Sequence, residues 1–328
     1  MEDKFKDFLS FCSEIDFGTV RLSNGEEDFC RELNNEVILL CNSLPRSTRT
    51  DALLLLMRYF HIPIGWELSF FANYYAPSWS IIYWLVQSTP ESKVLKPKDV
   101  RYAKSAHSMA LLLHPLDDHL NDSELPVTHL TMLLRSQSWM IMNDALGRLA
   151  DETYRGKEIV ECLIDDYYSS ISCANKILSF DGYCEHFKKQ MATGLIAPEL
   201  IMRKMNVSQE FSHAVMTAYA SFGIAWRLLD DINDIKADMM KGNHSAIYHR
   251  LPEDLRYQWA KNIENKNDCW AEDIIDYIIK HRIIEKIKER ICVELNSAAV
   301  IADNCNLTGL AGELRCLLNP LKNGPNPL

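Results

Sequence analysis

Apolar side chains return every three or four residues along most of the chain, the period that gathers one face of an α-helix. This spacing predicts helices over 2–15, 28–42, 50–60, 98–120, 127–150, 157–178, 182–203, 208–240, 271–292 and 294–303. Period-two alternation is nowhere sustained and no Asn-Gly turn joins β-branched runs, so strand signals are weak. Breakers fall between the helical stretches, at Leu44-Pro45, Thr89-Pro90, Lys96-Pro97, Asp181-Gly182 and Leu251-Pro252. No linker, composition shift or internal repeat divides the chain. An all-α, single-domain bundle over 1–320 is therefore expected, with the Pro/Asn-rich tail 321–328 disordered.

Two stretches depart from simple amphipathy. Residues 62–86 are the most apolar, but Pro63, Glu67, Asn73 and Pro77 interrupt them. The clean run of about 18 apolar residues that a membrane helix needs never forms, so buried core helices are expected and no integral membrane segment. Residues 211–229, FSHAVMTAYASFGIAWRLL, are apolar or small on nearly every side, which marks a helix buried all round. That helix runs directly into DDINDIKAD. Carboxylates at the end of a deeply buried helix are costly to desolvate unless cations meet them.

Composition and charge narrow the chemistry. The 328 residues are 47 % hydrophobic, enough for a sizeable core. A net charge of −10 without a long basic stripe argues against a nucleic-acid partner. An acidic protein that handles an anionic substrate needs local cations, which makes a metal site attractive. The 10 cysteines are scattered singly without a CxxC, and the charged start MEDKFKDFLSF lacks a signal-peptide pattern. Reduced thiols and a cytoplasmic location are the expectation.

Two acidic segments carry the candidate site. LLLHPLDDHLND holds Asp117, Asp118 and Asp122; LLDDINDIKAD holds Asp230, Asp231, Asp234 and Asp238. Residues four apart share a helix face, so Asp118 pairs with Asp122, Asp230 with Asp234, and Asp234 with Asp238. Each segment follows an apolar helix and is placed to project carboxylates into the mouth of an apolar cavity. Mg²⁺ takes hard oxygen ligands, using one or two carboxylates, waters and substrate phosphates. Two such clusters facing each other would hold a diphosphate through metal ions. The metals would neutralise a diphosphate leaving group until its C–O bond breaks. Asp165-Asp166, with no acid one turn on, is by contrast a surface pair.

At these residues the chain resembles the isoprenoid synthase superfamily, the trans-prenyltransferases and class I terpene synthases. GIAWRLLDDINDIKAD, Gly223 to Asp238, is similar to that family's Gly-x-Ala-Phe-Gln-x-x-Asp-Asp-x-x-Asp segment. DDHLND stands where its first Asp-rich motif belongs, and the resemblance covers roughly residues 25–300. It implies a bundle of roughly ten to thirteen helices around a central apolar cavity, about three Mg²⁺ ions, and a homodimer. Asp117, Asp118 and Asp230 become candidate catalytic residues. All seven named acids, Asp117, Asp118, Asp122, Asp230, Asp231, Asp234 and Asp238, become candidate metal ligands.

The resemblance also proposes the remaining site residues. Arg227, standing where the family has Gln, either reaches the diphosphate or pairs with a motif Asp. Lys188 and Lys189 lie near the family's diphosphate-binding Lys; neighbours diverge around a helix, so one is expected inward and one outward. Lys241 resembles a further phosphate contact, and Arg135 is read as structural. Leu112 and Leu113 stand where the family sets cavity depth. Phe187, Tyr219, Phe222 and Trp226 either line the cavity or pack in the core. Pro115 should kink the motif helix and re-aim its carboxylates.

Departures from the family order the functional readings. Strict alignment puts Asn121 at the third acid of the first motif, and no Arg pair follows in SELPVTHL. The cation loop that holds isopentenyl diphosphate in chain-elongating members has only Leu44-Pro45-Arg46-Ser47-Thr48-Arg49 as its nearest match. A second diphosphate without metals needs fixed cations. Cyclisation or rearrangement of one prenyl diphosphate, a terpene synthase (lyase) reaction, is therefore preferred, then chain elongation, then head-to-head condensation of the squalene or phytoene type. A non-catalytic partner subunit comes last, because a scaffold has no use for buried charge.

Overall fold

The computed structural model describes residues 2–121, 124–173, 179–261 and 269–323. Among them are fifteen α-helices and no strand, more helices than the pattern counts. They are α1 (Glu2–Ser13), α2 (Asn24–Ser43), α3 (Arg49–Tyr59), α4 (Ala76–Ser88), α5 (Pro97–Asn121), α6 (His129–Asp151), α7 (Gly156–Cys173) and α8 (Phe180–Gln190). The second half holds α9 (Ala192–Met205), α10 (Gln209–Asn233), α11 (Ile235–Lys241), α12 (Glu253–Lys261), α13 (Cys269–Lys280), α14 (Ile283–Asn304) and α15 (Thr308–Asn323). No helix among the described residues is long and apolar enough to cross a membrane.

Local chemistry sets many of the boundaries. Ser23 and Glu26 form a reciprocal capping box at the start of α2, and Thr128 with Thr131 does the same for α6. Ser179 and Ser208 cap α8 and α10 by accepting the free N–H of Gly182 and Phe211. Asn206 and Gly242 end α9 and α11 in the left-handed conformation that favours these residue types.

The structure departs from the pattern in several places; α12 stands where no helix is predicted, and the predicted break between 292 and 294 falls instead between α13 and α14. Stretch 62–86 yields one helix, α4, after an irregular segment in which Gly65 turns with φ 89°. The 182–203 stretch divides at Met191, whose side chain drops onto α10. A methyl group at Gly223 would fall 1.6 Å from its sulfur, so glycine is what permits this approach. The 208–240 stretch bends at Asp234, yet Asp234 N–H still donates to Asp230 O (2.8 Å) and Asp238 N–H to Asp234 O (2.9 Å). Finally α15 occupies 308–323, so 321–323 are helical; 324–328 lie outside the described residues.

The core explains why α10 is apolar all round. It packs against α14 on one side and against α4, α8 and α9 on others, and α14 in turn packs on α15. α5 is wrapped by α6, α9 and α2. α10 burying Val215, Ala218, Phe222, Ile224 and Leu228 and α5 burying Ala106, Met109, Leu112 and Leu113 are the two walls that bring the acidic segments together.

Candidate active site

A cavity of about 370 Å³ opens between α5 and α10. Its mouth is acidic, with Asp118 and Glu124 from the α5 side and Asp230, Asp231, Asp234 and Asp238 from α10 and α11. Its walls are apolar: Phe60, Phe70, Phe71, Tyr75, Leu111, Met191, Tyr219, Phe222 and Trp226. The rings of Tyr75 and Trp226 lie 4.8 Å apart, and those of Tyr75 and Phe222 6.5 Å.

Arg227 joins the two acidic segments. One nitrogen, Nη1, lies 3.7 Å from Asp118 and 3.6 Å from Asp230. Its Nε donates to the Tyr183 hydroxyl at 2.8 Å and lies 3.1 Å from Asp231. Burial opposes its charge, but Tyr183, Asp231, Asp118 and Asp230 together hold the guanidinium protonated well above its ordinary value. Of the two alternatives left open by the sequence, the pairing with motif acids is formed, and the same side chain lines the cavity.

The acids outnumber this cation. Burial first, then Asp231, Asp234 and Asp118 against the pull of Arg227, push the Asp230 carboxyl up to about 7. Burial and Asp231 push Asp238 to about 7 despite a hydrogen bond from Asn243. Asp234 is raised by burial and by Glu124. Among the described residues no three His, Cys, Asp or Glu side chains converge into a ready-made cage. Hard oxygens with unmet demand for positive charge, beside a cavity with room for phosphate, fit Mg²⁺, which keeps waters and substrate oxygens in its shell.

Several expected site residues stand elsewhere. Asp117 turns out of the cavity into a bidentate pair with Arg135 (2.6 and 3.0 Å) and accepts the Tyr167 hydroxyl at 2.9 Å, its side chain 8 % exposed. That corrects its reading as a catalytic metal ligand: successive side chains diverge around α5, and of these two neighbours it is Asp118 that reaches the mouth. Asp231 lines the mouth but is 1 % exposed, and its Oδ2 already accepts from Tyr183 and from Ala246 N–H, both at 2.8 Å. Asp122 lies outside the described residues.

Neither lysine of the pair points inward. Lys188 binds Glu185 at 2.6 Å and Lys189 binds Asp166 at 3.5 Å, both off the cavity, because α8 buries Phe180, Tyr183, Cys184 and Phe187 instead. Lys241 binds Glu124 at 2.5 Å, linking α11 to the chain after α5. Leu112 and Leu113 are core residues; Leu111 lines the cavity in their place. Tyr219, Phe222 and Trp226 are in the wall, whereas Phe187 sits behind it, with ring contacts to Trp226 (6.4 Å) and His114 (5.9 Å). Arg46 is exposed and Arg49 donates to Leu44 O at 2.9 Å, so neither belongs to the lining.

Sequence reasoning passed over Tyr183, Tyr59, His114, His119 and Glu124. Tyr183 had a signal, its place on the i, i+4 apolar stripe with Phe187. Tyr59 had none, being brought to the mouth from α3, where its ring lies 5.1 Å from His119.

No protein-family model and no curated protein matches the sequence. Solved structures match the shape. Geranylgeranyl pyrophosphate synthetase from Pyrococcus horikoshii aligns over 95 % of this chain and 98 % of its own, with TM-score 0.61 and 13 % identity. The geranylgeranyl pyrophosphate synthase of Corynebacterium glutamicum, complexed with isoprenyl diphosphate and magnesium, covers 89 % and 98 %, TM-score 0.61 and 13 % identity. An Arabidopsis medium/long-chain prenyl pyrophosphate synthase covers 84 % and 97 %, TM-score 0.58 and 15 % identity. The chain shares the all-α fold of these solved synthases. Each of these relatives in shape is named for making prenyl diphosphates and none for cyclising them, which overturns the preference for a terpene synthase drawn from the sequence.

Proposed function

We propose that the protein is a Mg²⁺-dependent, chain-elongating prenyl diphosphate synthase. It binds an allylic prenyl diphosphate at the acidic mouth, joins the prenyl chain to isopentenyl diphosphate and releases diphosphate. One observation carries the reading: Asp118 and Asp230, from opposite walls, meet a single Arg227 nitrogen above an apolar cavity. The shared shape with elongating synthases supports elongation as the outcome.

Asp118, Asp230, Asp234 and Asp238 are the residues proposed to hold magnesium. Bound there, the metal supplies the positive charge that lets the allylic C–O bond break. Arg227 adds a fixed guanidinium that meets phosphate oxygens in two directions at once. Phe222, Trp226 and Tyr75 hold the chain, exclude water and turn aromatic faces toward the developing allylic cation. The acceptor's double bond then forms the new carbon–carbon bond and a proton leaves the adjacent carbon. Among the described residues, His61, His114, His119 and Arg227 are the basic side chains in the lining available to the acceptor's diphosphate.

The test is direct. Purified protein with Mg²⁺ receives dimethylallyl, geranyl, farnesyl or geranylgeranyl diphosphate, each with and without isopentenyl diphosphate. A longer diphosphate formed only when isopentenyl diphosphate is present supports the proposal. Hydrocarbon or alcohol from a single diphosphate, without elongation, sinks it.

A further inference from the structure

Arg227 is held from behind. While Nη1 faces the cavity mouth, Nε turns into the wall and donates to the Tyr183 hydroxyl at 2.8 Å. That hydroxyl donates in turn to Asp231 Oδ2 at 2.8 Å, and the Ala246 N–H holds the same oxygen. Tyr183 is 7 % and Asp231 1 % exposed, so the arrangement is sealed from water on its inner side. The phenol ring lies 5.3 Å from the His249 ring, and the guanidinium 5.8 Å from the face of Phe187.

A guanidinium is planar, so fixing Nε fixes where both Nη groups point. A phenol hydroxyl has one proton to give and lone pairs to receive. Here the proton goes to Asp231 and a lone pair takes the Arg227 Nε–H, which sets the direction of the whole relay. The alternative partner for Nε, Asp231 itself, lies only 3.1 Å away. Without the hydroxyl the guanidinium would be free to rotate onto that carboxylate and withdraw from the mouth.

We propose that Tyr183 is a positioning residue: its hydroxyl, shared between Arg227 and Asp231, aims the guanidinium at the diphosphate and makes Asp231 an anchor rather than a metal ligand. The inference rests on the diphosphate site proposed above, and its test separates the two.

Calorimetric binding of inorganic pyrophosphate with Mg²⁺ to the full chain is the readout, for the unaltered protein, Tyr183→Phe, Arg227→Gln and the double variant. Tyr183→Phe is expected to bind about tenfold more weakly, the scale of losing one hydrogen bond to a charged group. In the Arg227→Gln background the same change should cost nothing further, because the tyrosine acts only through the arginine. A purely structural tyrosine would weaken binding equally in both backgrounds, and that result, or unchanged binding in Tyr183→Phe, overturns the inference. Should Tyr183→Phe not fold, Arg227→Lys keeps the charge and the tyrosine but cannot hold the hydroxyl and face the mouth together; it carries the same expectation. No binding by the unaltered protein overturns the diphosphate site itself and this inference with it.

Discussion

Glu313 on α15 and Asp231 on α10 are both nearly sealed from solvent, at 4 % and 1 % exposure. Glu313 accepts the Ser80 hydroxyl at 2.7 Å and the Trp84 indole N–H at 2.6 Å, and it hydrogen-bonds Glu26. Burial, and then Glu26, push its carboxyl well above the usual range, so the protonated form fits its surroundings. Its partners are all supplied by the protein and it lies off the cavity lining. Around Asp231 the acids crowd one guanidinium and border a cavity, leaving a demand for positive charge that the protein does not meet. Burial of a carboxylate is thus shared by structure and site; unmet charge beside space for a ligand belongs to the site alone.

The largest predicted effect tests that distinction. Asp118→Asn or Asp230→Asn should lower prenyl-transfer turnover by about a hundredfold or more, the scale of removing a charge-stabilising group, with helix content by circular dichroism unchanged. Glu313→Gln should leave turnover near that of the unaltered protein and act on stability instead. Comparable loss of turnover in both regions would erase the comparison.

Acidity sharpens it next. Asp230 and Asp238 have folded values of about 7 against an ordinary 3.8. Raised folded values favour the fold where the groups are protonated, and that contribution fades as pH climbs from about 4 through 7. Magnesium needs the ionised form, so Mg²⁺ should raise the melting temperature little near pH 5 and most near pH 8. Glu313 obeys the same sign: its contribution is present below the usual glutamate value and lost as pH rises. It should, however, be indifferent to Mg²⁺. Melting curves of Glu313→Gln should lose part of the pH slope and keep the whole Mg²⁺ response.

Neighbouring residues in α5 give a smaller contrast. Leu112 is packed in the core, so Leu112→Phe should destabilise the protein by about 1–3 kcal/mol in denaturant titrations. Leu111→Phe, one position away, enters the cavity and should shorten the longest product while sparing stability. Equal destabilisation by both would remove Leu111 from the cavity wall.

What the sequence discloses follows the same physics. The second acidic segment is legible because a run that is apolar all round ends abruptly in carboxylates, and a helix preserves that contrast wherever it packs. The choice between Asp117 and Asp118 is not. A helix dictates that adjacent acids diverge, but which one meets the cavity depends on Arg135 and Tyr167, brought up by α6 and α7. The break at Met191 is equally hidden, since the room its side chain takes up is left by Gly223 on another helix. α15 is different: Leu310, Leu314, Leu317 and Leu321 carry the period, and the Pro/Asn-rich end obscures it.

Lys188 and Lys189 give the smallest expected effect and a useful one. Two cations on the helix that supplies Tyr183 invite a role in holding phosphate, and charge alone argues for it. Geometry argues otherwise, because both ammonium groups pair with surface acids and α8 turns Tyr183 and Phe187 inward. Exposed pairs of this kind contribute about 0–1 kcal/mol. Lys188→Ala and Lys189→Ala, singly and together, should therefore leave the KM for the allylic diphosphate within about twofold. A rise of tenfold or more would mean that α8 rotates when substrate binds, bringing a lysine to the mouth and moving Tyr183 off Arg227, so this minor measurement also bears on how the guanidinium is held.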